Sequence, residues 1–354
     1  MEHKLTVLLT VYNIGEYLQR FFECMQRQTF TDYCLLILDD GSEDHSLDVC
    51  KQFAEKDDRI EIIELHHVGI SKARNIGIQH INTPLTAFAD GDDYFEDDYL
   101  KHLVDAAEES NADLVISRVE YIKEGESVPH DVHLERGNTV IFKEDFNKML
   151  PMLLDDRRLN YLYAKMFRTE LLKPLRVEDD VRQGSDTMFV FQYLYKANSI
   201  ALIDNVDYHY IKYQSRSVTS YSGTDAFERL LRINRFIRSF SEGHGMMTEE
   251  LNKMIDGRIL ISAIWIINTM FRADTPIETK ESEIDKILNN EEHLEAYNRQ
   301  KDNFDIYRFE PIEPQSGENY FKQRLKEENL LALKGKISEK LPNFVLDLYR
   351  TIFR

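Results

Sequence analysis

The segment Phe88-Ala89-Asp90-Gly91-Asp92-Asp93 is a short apolar run that ends abruptly in carboxylates. Acidic side chains this close repel one another unless a cation or solvent relieves the charge. Hard oxygen donors suit Mg²⁺ or Mn²⁺, so the segment is a candidate metal–phosphate site. Other apolar runs also end in polar groups: Leu5 to Thr10 leads into Tyr12-Asn13, and Cys34 to Leu38 leads into Asp39-Asp40-Gly41-Ser42. A further cluster, Gly69-Ile70-Ser71-Lys72-Ala73-Arg74-Asn75-Ile76-Gly77, brings hydroxyl, cationic and amide groups onto one helical segment.

The elements that position these clusters are legible as a pattern. β-rich runs at Leu5 to Thr10, Cys34 to Leu38, Ile60 to Leu65, Leu85 to Ala89 and Leu114 to Val119 alternate with helix-period segments. Those segments lie near Glu16 to Gln26, Ser46 to Glu55, Ser71 to Gln79 and Asp98 to Glu109. The alternation predicts parallel strands joined by crossover helices in a doubly wound α/β sheet. Such a sheet binds ligands beyond the carboxyl ends of its strands, so the polar clusters are expected to converge on one edge. Further along, Asp145 to Leu154 and Asp186 to Tyr195 read as helices, and Ala201 to Tyr213 as interrupted strand. Beyond Thr224 the apolar spacing is almost wholly helical.

Composition narrows the partners. The chain has 354 residues, 42% hydrophobic and 30% charged, enough for one large core or two smaller ones. Its formal net charge of -19, from 63 acidic and 44 basic residues, repels nucleic-acid phosphates. Cys24, Cys34 and Cys50 have neither the even number of a disulfide framework nor Cys-x-x-Cys spacing, and fit a reducing cytoplasm. The first residues lack the apolar stretch of a secretory signal, again an expectation of cytoplasmic residence. The apolar stretch from Ile259 to Phe271 is shorter than the roughly 20 residues that span a bilayer and reads as a buried helix. From Phe321 to Arg354, Lys and Arg outnumber acids among spaced leucines. That end suits either contact with the inner face of an anionic membrane or packing as a terminal helix.

Taken in order, Thr10-Val11-Tyr12-Asn13, Gln28-Thr29-Phe30, Leu38 to Asp44, Gly69 to Gly77 and Phe88 to Asp93 resemble the motif series of the family 2 glycosyltransferases of GT-A fold. The resemblance covers residues 4 to 220. It implies a mostly parallel doubly wound sheet and transfer of a sugar from a UDP-sugar to a hydroxyl of a glycan, teichoic acid or protein-linked sugar, with Mn²⁺ or Mg²⁺ as cofactor. It implies Asp92 as the first metal ligand, Asp90 at the ribose and near the metal, and Asp93 orienting the loop. Thr10, Tyr12, Asn13 and Gly91 fall in its nucleotide-binding motifs, with Tyr12 against the base. Asp39 would accept the imide N–H of uracil, and Arg74 would bring a cation to the base and ribose edge. In Gln183-Gly184-Ser185-Asp186-Thr187-Met188-Phe189, Asp186 takes the place of the base that deprotonates the acceptor, with inversion at the anomeric carbon. Ser185 stands where the family usually has Glu.

The same resemblance places His209, in Tyr208-His209-Tyr210, on the metal, and Lys212, Arg216 and Ser217 on the diphosphate. Lys165, in Tyr161 to Arg168, falls on the acceptor side. Plainer roles stand beside these: a turn for Asp39-Asp40, a helix cap for Asp186, a structural strand histidine for His209 and a packed cation for Lys165. The expected organisation is a catalytic domain over 1–224, with a nucleotide half at 1–123 and an acceptor half at 124–224. A helical region over 225–354 follows, a candidate surface for self-association. The alternative function is a nucleotide-sugar or glycan-binding module on the same fold without turnover. A nicotinamide enzyme would need a Gly-x-Gly-x-x-Gly turn after the first strand, and Asn13-Ile14-Gly15-Glu16-Tyr17-Leu18 lacks it.

Overall fold

The computed structural model describes residues 3–123, 130–131, 137–179, 184–213, 223–272 and 276–301. The chain divides into two compact units, Met1–Ser217 and Val218–Arg354. In the first unit, β1 (Leu5–Val11), α1 (Gly15–Arg27), β2 (Tyr33–Asp39), α2 (Ser46–Ala54), β3 (Ile60–Glu64), α3 (Ile70–His80) and β4 (Leu85–Asp90) follow the alternation expected from the sequence. They continue into β5 (Tyr94–Phe95), α4 (Tyr99–Ser110), β6 (Leu114–Ile116), β7 (Val119–Lys123), β8 (His130–Asp131), β9 (Thr139–Phe142) and α5 (Phe146–Asp155). The unit closes with β10 (Lys165–Arg168), α6 (Thr169–Leu172), α7 (Ser185–Lys196), β11 (Ser199–Leu202) and β12 (Tyr208–Lys212).

An 8-stranded sheet runs β3-β2-β1-β4-β10-β6-β11-β9. Strands β3, β2, β1 and β4 are mutually parallel, β10 enters antiparallel between β4 and β6, and β9 closes the edge antiparallel to β11. β1, with sequence Leu-Thr-Val-Leu-Leu-Thr-Val, is covered on both faces, which explains its nearly unbroken apolar run. Its Leu5, Val7 and Leu9 share a core with Leu18, Phe21 and Phe22 of α1. The strand order reverses at β1, with β2 on one side and β4 on the other. The crevice beyond their carboxyl ends is therefore the expected ligand position. Register carries the polar residues there: Val11 pairs with Asp39 and Thr10 with Asp90.

A second sheet, β5-β12-β7-β8, was not legible as such. The run Leu114 to Val119 reads as one strand in sequence, but the chain bends at Ser117 and Arg118. Their N–H groups donate to Ala164 and Asn205 carbonyls, so β6 stays in the large sheet while β7 joins the small one. Ala201 to Tyr213 divides likewise, with β11 and β12 in different sheets.

The second unit contains α8 (Gly223–Gly243), α9 (Glu249–Arg272), α10 (Ile277–Leu288) and α11 (Glu291–Gln300). α9 is long and apolar enough to cross a membrane by length and composition alone, yet Ile255, Ile259, Leu260, Ala263, Ile266 and Ile267 are buried within the protein. The fully buried Asp256 accepts from Arg238 on α8 and from Arg299 and Gln300 on α11, pinning three helices together. The basic stretch 321–354 lies outside the described residues.

Candidate active site

Loops after β1, β2 and β3 are knitted together by side chains. Asn13, at φ 53°, accepts from the N–H groups of Glu43 and Asp44, and its own N–H donates to the Ser42 hydroxyl. Asp40 accepts from Val68 N–H at 2.6 Å and Gly69 N–H at 2.8 Å, drawing the β3–α3 loop in. Gly41 has φ +73°, and a Cβ there would lie 2.8 Å from the His67 nitrogen, so glycine permits the close approach.

Asp39 sits inside this frame, 2% exposed. Its Oδ2 accepts from Ser42 N–H at 3.1 Å, whereas Oδ1 is buried with no hydrogen-bond partner among the described residues. A buried carboxylate oxygen without a donor is costly, and a ligand N–H would satisfy it. Beside it, the Tyr12 ring is 41% exposed and stacks on His67 with centroids 4.2 Å apart. Sequence reasoning missed His67, because a histidine in a loop carries no pattern until the fold brings it beside Tyr12.

At the tip of β4 the acidic residues divide their work. Asp93 is fully buried and accepts from Ile211 N–H at 2.9 Å and the Tyr208 hydroxyl at 2.7 Å; burial holds its carboxyl well above the usual range. Asp93 thus fastens the loop to β12. Asp90 and Asp92 are half-buried. Burial pushes Asp90 up to about 7, with Arg74 pulling it back and the charges of Asp92 and Asp186 raising it further. Gly91 is tightly packed, and a Cβ there would lie 2.7 Å from Ile14 Cδ1 and displace that side-chain end. Thr10 lies alongside Asp90 in the sheet register.

Arg74 decides the geometry of the cleft. Its Nη1 donates to Asp186 Oδ1 at 2.7 Å and its Nη2 lies 3.5 Å from Asp90 Oδ1, with the arginine side chain only 7% exposed. One guanidinium therefore spans the acidic strand tip and the start of α7, so Asp90 and Asp186 share a cleft. The described partners of Arg74 are these two carboxylates. Asp186 stands in the first turn of α7 behind Gly184, φ 85°, and makes no capping hydrogen bond; the Ser185 hydroxyl lies 3.4 Å away.

Strand alternation turns Tyr208 toward Asp93 and His209 to the opposite face of β12. There His209 meets Glu96 at 2.9 Å and Glu120 at 3.2 Å and stacks on Tyr94, so it does not join the acidic tip. Lys165 is fully buried in β10, with Nζ 3.8 Å from the Tyr161 ring centroid, and is not open to an acceptor. Burial pushes its amine well down, opposed by the Asp186 charge. Lys212 is exposed, and alternation puts it on the Tyr208 and Tyr210 face of β12. Gln183, Arg216 and Ser217 lie outside the described residues.

Among the described residues, no group of three or more His, Cys, Asp or Glu side chains is arranged to hold a metal ion. The crowded pair Asp90 and Asp92 nevertheless suits a cation of the Mg²⁺ type, which takes one or two carboxylates and completes its shell with substrate phosphates and water. Burial is the main cause of the raised Asp90, and the Asp92 charge adds to it.

Residues 6–173 match the profile of glycosyl transferase family 2. Over that stretch, a little under half of the chain, the sequence is similar to members of this family. Among curated relatives, the glycosyltransferase GlyA of Streptococcus pneumoniae is 34% identical over 185 residues, covering 50% of this chain and 26% of GlyA. The chain thus spans about a quarter of that relative's length. The poly(ribitol-phosphate) beta-N-acetylglucosaminyltransferase TarP of Staphylococcus aureus is 23% identical, covering 72% of this chain and 77% of TarP. The crystal structure of S. aureus TarS 1-349 in complex with UDP-GlcNAc superposes with a TM-score of 0.61 at 18% identity, covering 86% of this chain and 89% of that one. The unit that contains those residues has the GT-A fold.

Proposed function

We propose that the protein is a metal-dependent, inverting glycosyltransferase that moves a sugar from a UDP-sugar to a hydroxyl of a cell-envelope glycopolymer. The observation that carries this is the Arg74 guanidinium between Asp90 and Asp186, which sets a candidate base beside a candidate metal and nucleotide carboxylate. The orphaned Asp39 Oδ1 supports a uridine donor, because the imide of uracil offers the N–H this oxygen lacks. TarS binds UDP-GlcNAc and TarP is named for poly(ribitol-phosphate), which favours an N-acetylhexosamine or hexose donor and a polyol-phosphate type of acceptor.

In this reading Asp90 and Asp92 hold Mn²⁺ or Mg²⁺, which when bound supplies charge to the departing diphosphate. Asp186 takes the proton from the acceptor hydroxyl at a carboxylate oxygen, and the hydroxyl attacks the anomeric carbon opposite the leaving group. Arg74 holds the Asp186 carboxylate in place through its Nη1 hydrogen bond before the acceptor arrives. Tyr12, backed by His67, takes the base on its open side, and Lys212 is a candidate contact of the diphosphate.

The test is Asp186→Asn, assayed with a panel of UDP-sugars and Mn²⁺ against ribitol-phosphate polymer. UDP binding is expected to survive while transfer falls by a factor of about 10² to 10⁴, the usual worth of a general base. Residual turnover within tenfold of the natural protein would remove Asp186 from that role. A wild-type protein that binds UDP-sugars and never releases UDP would instead favour the binding-module alternative.

A further inference from the structure

The peptide that follows Asp92 is held in a way the sequence does not announce. Arg20, two turns into α1, donates from Nη2 to the Asp92 carbonyl at 2.5 Å and to the Tyr213 hydroxyl at 2.9 Å. The Tyr213 hydroxyl itself reaches the same carbonyl at 3.1 Å. Arg20 Cζ lies 5.4 Å from the centroid of the Tyr94 ring, and Tyr17, one turn earlier on α1, packs its ring against Tyr213 with centroids 4.5 Å apart. The side chain is half-buried, and its Nε is buried with no hydrogen-bond partner among the described residues. An exposed arginine on an amphipathic helix would not accept that desolvation without a compensating role.

The neighbouring residues of the loop are also tied to β12. Tyr208 accepts the Asp90 N–H at 3.3 Å and donates to Asp93, and Ile211 N–H donates to Asp93. The Asp92 carbonyl is gripped from α1 and from the end of β12 together. The plane of the peptide between Asp92 and Asp93 sets the backbone torsion at Asp92, and with it the direction in which its Cβ leaves the chain.

We propose that Arg20 is a positioning residue for the metal loop: with Tyr213 it clamps the Asp92 carbonyl and so orients the Asp92 carboxylate toward a divalent cation. The proposal rests on the assignment of Asp92 as a metal ligand. It gives α1 a part in cation binding that no metal-ligating side chain on that helix would reveal. It also joins the cation site to the point where β12 ends, so that ordering of one steadies the other.

The experiment is titration calorimetry of UDP in the presence and absence of Mn²⁺, on the full chain and on Arg20→Met, Arg20→Lys and Tyr213→Phe. Mn²⁺ is expected to tighten UDP binding to the natural protein. In Arg20→Met that gain falls about tenfold, as for other residues that support a metal ligand from behind, while Mn²⁺-free UDP binding is unchanged. Arg20→Lys keeps a charged donor and retains part of the gain, and Tyr213→Phe loses part of it. Combining Arg20→Met with Tyr213→Phe costs less than the sum, since both act on one carbonyl. An unaltered Mn²⁺ gain in folded Arg20→Met overturns the proposal, as does equal weakening of UDP binding with and without Mn²⁺. Should Arg20→Met fail to fold, Arg20→Lys and Tyr213→Phe decide by the same measurement. No Mn²⁺ gain in the natural protein would instead fail the Asp92 assignment itself, a distinct outcome.

Discussion

Asp39→Asn tests the nucleotide reading with a sign as well as a size. Asp39 Oδ2 accepts from Ser42 N–H, and Oδ1 is buried without a partner among the described residues. An asparagine at this position keeps its carbonyl oxygen on Ser42, because an NH₂ there would face another donor. The NH₂ is then forced into the Oδ1 position, donor against the imide N–H of uracil. A hydrogen bond to a charged group contributes about 1.5–3 kcal/mol, so the dissociation constant for UDP is expected to rise about 10- to 150-fold. CDP offers an acceptor at the corresponding ring nitrogen, and its affinity should hold or improve. Calorimetric titration of both nucleotides at fixed Mn²⁺ reads the crossover. UDP affinity within twofold of the natural protein would refute the argument, as would UDP and CDP weakening alike.

Other expectations follow from the same coordinates. Mn²⁺ binding requires ionised Asp90, held up at about 7, so Mn²⁺ affinity measured by calorimetry should weaken about tenfold per pH unit below 7 and flatten above it; a constant affinity from pH 5.5 to 8 contradicts this. Without metal the same raised carboxyl stabilises the fold below pH 4, and that contribution is lost as pH rises through 7. His293 is buried and its pKa is pushed down to about 4, so its contribution is present above pH 6.5 and lost as pH falls through 4. That amounts to about 3 kcal/mol, and thermal unfolding of His293→Gln should show a shallower decline between pH 7 and 4 than the natural protein. Asp256→Asn leaves Arg238 and Arg299 facing a neutral group in the helical unit. About 3–5 kcal/mol of stability should go in urea unfolding followed by helical circular dichroism, and a loss under about 1 kcal/mol would refute the clamp.

Much of the fold was legible because local rules governed it. β1, β2 and β4 are apolar runs buried on both faces, and α1, α2, α3 and α4 fall where apolar spacing turned helical. The small sheet was not legible, because β7 and β12 belong to runs whose other halves serve the large sheet, and only distant backbone partners such as Ala164 and Asn205 show where each run divides. In the site, Asp90, Asp92 and Asp186 were readable as carboxylates at strand and helix ends. For His209 the sequence left a metal ligand and a structural strand histidine both open, and in the fold it pairs with Glu96 and Glu120. For Lys165 it left an acceptor contact and a packed cation both open, and β10, lying between two strands, buries the amine. Arg20, His67 and Tyr213 were missed, since each acts through a residue far away along the chain.

By itself, then, the sequence determined which residues carry charge at strand ends, and that those ends share an edge, because side-chain period and strand–helix alternation act over short distances. Tertiary structure alone decided that Arg74 faces Asp186 across 112 positions of chain, that Asp39 keeps one oxygen without a donor, and that Arg20 grips the Asp92 carbonyl. Such contacts depend on how separate elements pack in space, and distance along the chain carries no trace of them.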